Sequence, residues 1–278
     1  MFKDRKLLIA TKHHKEQVIA PIFDKGLGVH CFVPDNYDSD IFGTFSGEVE
    51  RKNTAVATVR AKCLAAMEEF DCDLAIASEG SFGSHPSIFF AQADDEFLIF
   101  IDKKNDLEII ARELSLSTNF YGENIPNKAA LQDFADKIQF PAHAIILRSK
   151  PDDLTAIVKG ITTKSELEDT FQHLMNHYGS VYAETDMRAL YNPTRMDVIK
   201  IAAQKLLETI KAECPSCKTP GFSVTDIRQG LPCSWCSAPT RSTLSFIYSC
   251  KKCSFSTEKM YPHQKTTEEP GFCDFCNP

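Results

Sequence analysis

The sequence predicts an α/β layer domain with a mixed or mainly parallel central sheet, followed by a small cysteine-rich module. Three observations lead there. Short apolar runs alternate with helix-period stripes over the first ~150 residues. Eight of the 11 cysteines fall after residue 213, as four Cys-x-x-Cys pairs. The 278 residues are 43% hydrophobic and 25% charged, an ordinary globular mix long enough for one large domain or two smaller ones.

Residues 5–10 are a short apolar run suited to a buried strand. Val18, Ile19, Ile22 and Phe23 recur at helical spacing, and the stripe stops near Pro21 to Gly26. Residues 28–33 read as a second strand and 38–47 as a loop. Asn53 or Thr54 caps a helix whose Val56, Val59, Cys63, Met67 and Phe70 fall at three- and four-residue steps. Residues 73–77 form a third strand, leading into a polar loop over 78–86. Residues 88–91 and 97–101 read as strands joined by an acidic turn, Asp94-Asp95-Glu96. A helix over 107–114, a strand over 116–121, a helix over 128–138 and a strand over 142–148 follow. From Thr163 the pattern turns helical, with one stripe of Leu167, Phe171, Leu174 and Met175 and another of Met196, Ile199, Ala203, Leu206 and Ile210. The expected domains are therefore 1–211, helical over 163–211, and 212–278.

Formal net charge is −7. From residue 212 onward seven Lys/Arg face six Asp/Glu, which leaves −8 on the first 211 residues. That sign opposes loose binding to a phosphate backbone, so nucleic acid is a disfavoured partner. No apolar run approaches the roughly 18–20 residues that span a bilayer, and the apolar stretch at the start is too short for a secretory signal. The expectation is a soluble, cytoplasmic protein. Cys31, Cys63 and Cys72 sit among apolar neighbours and read as buried free thiols.

In a chain without a secretory signal, paired Cys-x-x-Cys units read as metal ligands rather than disulfides. Two thiolates two residues apart fit one edge of a Zn²⁺ tetrahedron, and four close the site. Cys214, Cys217, Cys233, Cys236, Cys250, Cys253, Cys273 and Cys276 therefore predict two structural zinc ions in a double zinc-ribbon module. The gaps between pairs are 15, 13 and 19 residues, each long enough for a hairpin. The strand-like residues 240–248 favour one site from Cys233, Cys236, Cys250 and Cys253, with the outer pairs forming the other. Sequential and crossed pairings stay open. Few large apolar residues follow Lys211, so this module needs its metal to fold.

Three polar clusters fall at strand ends, where open α/β sheets gather their chemistry. Thr11, Lys12, His13 and Lys15 stand where the first strand gives way to a helix N-terminus, a place that favours anions. Glu79, flanked by Ser78, Gly80 and Ser81, suits Mg²⁺ or a general base. Glu184, Asp186, Arg188 and Arg195 precede or open a long helix; they suit metal ligation and phosphate clamping, or equally an interdomain salt-bridge joint. No Gly-x-x-x-x-Gly-Lys-Ser/Thr loop is present, and Gly26-Leu27-Gly28 leads into a strand rather than a helix, which excludes the P-loop and the dinucleotide fingerprint.

Residues ~6–120 resemble the inosine/xanthosine triphosphatase-like superfamily of nucleotide pyrophosphatases. The matching stretches are Ile9-Ala10-Thr11-Lys12-His13-His14-Lys15, the helix entry from Thr54 to Lys62, and Asp73-Leu74-Ala75-Ile76-Ala77-Ser78-Glu79-Gly80. The resemblance implies that Glu79 is a Mg²⁺-associated carboxylate and that Lys15 and Arg60 contact a triphosphate. His13 stands where that group has Asn, Lys15 comes one residue early, and Ser81 replaces a glycine. The whole chain also resembles an uncharacterised bacterial family that joins such a body to a cysteine tail ending Cys273-Asp274-Phe275-Cys276.

The functional expectation is a Mg²⁺-dependent hydrolase of a nucleotide or related phosphorylated small molecule. Glu79, Glu184 and Asp186 would be its catalytic carboxylates. Thr11, Lys12, His13, Lys15, Arg60, Ser81, Arg188 and Arg195 would hold phosphate. The alternative is a non-enzymatic adaptor whose zinc ribbon meets a protein or RNA partner.

Overall fold

The computed structural model describes residues 1–35, 37–38, 53–88 and 90–278. The chain divides into two compact units, Met1–Leu207 and Glu208–Pro278. The division lies inside the last long helix, four residues before the boundary expected from the sequence.

The first unit opens with β1 (Lys6–Ala10), α1 (Glu16–Leu27), β2 (His30–Phe32) and α2 (Ala55–Glu69). β3 (Leu74–Ser84), β4 (Gln92–Asp102) and β5 (Leu107–Ser115) follow. Their five-stranded sheet has the order β2-β1-β3-β4-β5. β1 runs parallel to β2 and β3, and the β3-β4-β5 pairs are antiparallel, so the sheet is mixed. Parallel neighbours need long crossovers, which α1 and α2 provide. Gly28 ends α1 with φ 68°, a left-handed cap natural to glycine. Thr54 caps α2, its side chain accepting from the Ala57 amide. Val59, Cys63, Ala66 and Met67 of α2 pack on Leu8, Ala75, Ala77 and Ile99 of the sheet. Of the three cysteines in this unit, Cys63 is buried as expected, and Cys31 and Cys72 are only half-buried.

A second sheet uses β6 (Gly122–Asn124), β7 (Ile145–Arg148), β8 (Ile157–Ile161) and β9 (Tyr182–Thr185), in the order β6-β9-β7-β8 and antiparallel throughout. α3 (Lys128–Lys137) and α4 (Lys164–Tyr178) bring Leu131, Phe134, Leu167, Phe171 and Leu174 onto Ile145, Leu147 and Ile161. α5 (Pro193–Lys211) closes the unit.

Several expected elements are corrected. Residues 107–114 are strand β5, not a helix: burial alternates through Leu107, Ile109 and Ala111, and pairing with β4 decides the outcome. The loop placed at 78–86 is mostly strand, because β3 runs on to Ser84 with each residue paired to β4. The acidic "turn" Asp94-Asp95-Glu96 lies inside β4. Of the segment placed as a strand at 88–91, the described residues Ile88, Phe90 and Ala91 lie in no strand; Ser84 pairs with Gln92, and the His85 ring accepts from the Ser87 and Ile88 amides. Residues 116–121 are not a strand; Leu116 is 53% exposed, and pairing begins at Gly122. The region read as all-helical from 163 contains β9. Apart from Asp38, only Tyr37 of that neighbourhood is described; the loop expected over 38–47 otherwise lies outside the described residues.

The second unit holds a three-stranded antiparallel meander of β10 (Ser223–Gln229), β11 (Thr243–Ser249) and β12 (Ser256–Met260). No described helix is long and apolar enough to cross a membrane.

Phe134 is fully buried, and Thr163 caps α4 through the Glu166 amide. Phe134→Ala should lower unfolding free energy by about 3–5 kcal/mol and Thr163→Ala by about 1 kcal/mol, both read from urea midpoints at constant slope.

Candidate functional site

The ladder between β1 and β3 stops at the pair Ala10–Ala77, while β3 continues for seven residues. Beyond that point the edge of β3 faces the residues that follow β1. Lys15, at the start of α1, is buried there and donates from Nζ to Ser78 Oγ at 2.9 Å. The next residue of β3, Glu79, points to the α2 side, where its Oε2 lies 2.5 Å from Lys62 Nζ. Side-chain exposures of 9% for Lys62 and 7% for Glu79 make this a buried ion pair.

The other face of β3 and β4 carries a second pair. Gly80 stands opposite Glu96, and Phe82 opposite Asp94. Arg195 of α5 donates from Nε to Glu96 Oε1 at 2.6 Å, with both side chains fully buried, and from Nη1 to the Met187 carbonyl at 2.6 Å. Its guanidinium also stacks 5.1 Å from the Phe82 ring centre. Gly80 is required for space: a Cβ there would strike the Glu96 carboxylate and the Arg195 guanidinium. Asp94 is fully buried, and neither of its carboxylate oxygens has a hydrogen-bond partner. Thr11 Oγ1 and Glu96 Oε2 likewise lack one.

These charges tune one another. Burial, reinforced by the Arg195 charge and opposed by Glu96, brings the Lys15 ammonium down to about 7. Burial, then the Glu96 charge, pushes the Asp94 carboxyl up to about 8, against Arg195 and Lys15. Near neutral pH, Lys15 is therefore poised between its charged and neutral forms, and Asp94 holds its proton.

Of the residues named from sequence, the structure gathers Thr11, Lys15, Glu79 and Arg195 at or beside this cluster. The others are engaged elsewhere. Lys12 is exposed and pairs with Asp38 at 2.9 Å, and His13 is half-buried beside it. Arg60 is exposed and pairs with Glu108 at 2.8 Å. Ser81 is half-buried opposite Asp95. Glu184 belongs to the second sheet and binds Arg148 Nε at 2.6 Å; burial raises its carboxyl despite that partner. Asp186, fully buried, accepts from the Arg188 backbone at 3.0 Å and from its guanidinium at 2.5 Å. Glu184 is thus ion-paired within the second sheet, and Asp186 with Arg188 two residues further along the chain. Sequence reading missed Lys62, Asp94 and Glu96. A lysine three residues after Val59 on an apolar helical stripe was one available signal. The period-2 series Asp94, Glu96, Leu98, Phe100 was another.

The cysteine module holds two tetrads: Cys214, Cys217, Cys250 and Cys253, and Cys233, Cys236, Cys273 and Cys276. Within each, the four sulfurs lie within 4.8 Å of one another, and the contacts between pairs are 3.6 Å twice in the first and 3.9 and 3.6 Å in the second. Four thiolates at ~2.3 Å from one ion stand about 3.8 Å apart, so the spacing suits a tetrahedral metal. The nested pairing expected from sequence is corrected: the pairs cross, first with third and second with fourth. The meander explains it. Ser223, at the start of β10, pairs with Ser249, at the end of β11, and this end carries the first and third pairs. Gln229 pairs with Thr243 and Ser245 with Met260, which directs the second and fourth pairs to the other end. All four turns repeat one backbone bond, from the amides of Lys218, Ser237, Ser254 and Asn277 to the carbonyls of Cys214, Cys233, Cys250 and Cys273. His263 joins neither tetrad; its ring meets Phe246 edge-on at 5.4 Å.

Removing one member of the buried Arg195–Glu96 pair strands the other charge. Arg195→Met and Gly80→Ala should each destabilise the protein, the first by about 3–5 kcal/mol, measured by chemical denaturation.

No curated protein matches this chain. The crystal structure of protein VC0702 from Vibrio cholerae aligns at 10% identity over 74% of this chain and 94% of that one, with a TM-score of 0.32, too loose a likeness to carry an argument. The family described as "Domain of unknown function (DUF6671)" matches residues 62–278, from Lys62 through both tetrads. The chain belongs to that family.

Proposed function

We propose that the first unit is a Mg²⁺-dependent hydrolase of a nucleotide or similar phosphorylated molecule, and that each tetrad holds a structural zinc ion in a cytoplasmic protein. One observation carries the hydrolase reading: just past the end of the β1 ladder, consecutive residues of β3 engage two buried lysines, Ser78 with Lys15 and Glu79 with Lys62. The resemblance of residues ~6–120 to the inosine/xanthosine triphosphatase-like group supports the same assignment.

Glu79 offers the hard oxygen donor that magnesium prefers. Among the described residues only the cysteine tetrads bring three or more candidate ligands together. A magnesium ion here would thus rest on Glu79 and substrate oxygens, as it commonly does in phosphate sites. When bound, it would neutralise charge on the transferring phosphoryl group. Lys62 holds the Glu79 carboxylate in place and supplies positive charge on the α2 side. Lys15, with Ser78 beside it, presents a cation to a phosphate oxygen at the start of α1. Arg195 adds positive potential without touching the ligand, because Glu96 and the Met187 carbonyl hold it.

Nucleoside triphosphates, including non-canonical ones, should release pyrophosphate or phosphate with Mg²⁺ and not with EDTA. Glu79→Gln should lower the rate by roughly two orders of magnitude. No release across a broad panel, with wild type and Glu79→Gln equally inert, removes the reading. Pyrophosphate affinity should rise as pH falls from 8.5 to 6, since Lys15 gains its proton below about 7 and Asp94 loses its charge below about 8. Lys15→Met should flatten that dependence in calorimetric titrations.

A second reading is favoured by the burial itself. Lys62–Glu79 and Arg195–Glu96 are already neutralised in pairs, as in a structural core, which suits an adaptor.

For the tetrads, all-sulfur donors in tetrahedral spacing favour zinc, and four thiolates leave no position open for catalysis. The second unit buries few large apolar side chains, Leu231 among them. Metal can supply on the order of 10 kcal/mol of folding free energy per site instead. Purified protein should contain two zinc equivalents by mass spectrometry. Cys233→Ser with Cys250→Ser should lose both, whereas Cys214→Ser with Cys250→Ser should lose one; the nested arrangement requires the reverse.

A further inference from the structure

The two ends of the cysteine module share a backbone and differ in surface. The third position of the Cys-x-x-Cys turns is Ser216 and Lys252 in one tetrad, and Trp235 and Phe275 in the other. The turn geometry is the same in all four, so nothing in the fold calls for an aromatic there. Trp235 is 78% exposed, Phe275 75% and Phe272 64%. Each is next in the chain to a cysteine of the same tetrad, which gathers three large rings at one end of the module. Exposed Trp and Phe in a cluster are the side chains that anchor interfaces.

Charge narrows the occupant. Around these rings Glu268, Glu269 and Asp274 outnumber Arg241 and Lys265. Arg241 pairs with Asp274 at 3.1 Å and Lys265 with Glu268 at 3.0 Å. Four thiolates around a divalent ion add two further negative charges. The opposite end instead carries Lys218, Lys251 and Lys252 against Glu213. An acidic aromatic surface repels a phosphate backbone. It also repels its own copy, since a two-fold contact sets like against like.

We propose that the Trp235–Phe272–Phe275 end is a docking surface for a basic segment of another protein that carries apolar anchors. The rings cover the partner's apolar side chains, and its Lys or Arg residues face Glu269, Asp274 and the tetrathiolate. At these exposures the three rings offer about 400 Å², given 150–250 Å² per aromatic side chain. That is half of the ~800 Å² per partner in a standard interface, enough for its centre. The proposal rests on metal occupancy of the second tetrad and is independent of the hydrolase reading.

The test uses the full-length protein, with its metal content measured first. A protein without metal refutes the metal reading and the docking surface with it. Trp235 is the chain's single tryptophan, so its fluorescence reports directly on this end. Three probes are titrated: lysine–leucine peptides of about 15 residues, their glutamate–leucine counterparts and a dT15 oligonucleotide. The basic peptides should bind at micromolar concentration and blue-shift Trp235. Phe275→Ala and, by calorimetry, Trp235→Ala should weaken binding at least tenfold while both metals are retained, and Lys252→Ala should leave it unchanged. Equal binding of the acidic peptides, binding of dT15, Trp235-dependent self-association, or metal-loaded protein that binds no peptide would each overturn the proposal.

Discussion

The pair between Arg195 and Glu96 organises the first unit. It joins side chains 99 residues apart and fully removes both charges from water. Such a pair is costly to bury and costlier to break, so its geometry is over-determined. Gly80 clears the space, Phe82 stacks on the guanidinium, and the Met187 carbonyl takes another of its N–H groups. That last bond connects α5 and β4 to the segment following β9, so the pair links both sheets. Burial first, and then the like charge of this pair, makes Lys15 give up its proton more readily than a free lysine and Asp94 less readily than a free aspartate.

The first sheet shows how far local pattern reaches. β1 was legible as a continuous apolar run, buried over Leu7–Ala10, and α1 and α2 as stripes at helical spacing. The extended arm of β3 was not. Ser78, Glu79, Ser81 and the acidic run Asp94-Asp95-Glu96 have loop composition, and only their pairing across eleven positions makes them strand. The same residues hide the site: a buried acid looks like a solvated one until its partner on a distant element is known. Lys15 and Glu79 were visible because each follows closely on an apolar run, although β3 in fact continues past Glu79 to Ser84. Lys62 was not singled out on its helix, and Arg60, two residues earlier, turns to solvent instead. β5 shows the opposite failure, where a 3.6-residue pattern and a two-residue pattern coexist in nine residues and the neighbouring strand decides.

The cysteine module was legible in composition and not in connectivity. Spacing between pairs says that a hairpin fits; it does not say toward which end each pair is delivered. That information lies in the number of strands. One hairpin between two pairs favours the nested arrangement, whereas a third strand sends alternate pairs to opposite ends.

Crossed tetrads also impose an order of assembly on the growing chain. The first tetrad stays open until Cys253 has been synthesised, and by then β10 and β11 are both available to hold its halves together. The second stays open until Cys276 has followed. Because each tetrad spans half of the other's cysteines, the two loops are interlocked along the chain. A cut between Ser249 and Cys253 would spare neither span, so the module is expected to tolerate a nick there poorly despite its exposed surface.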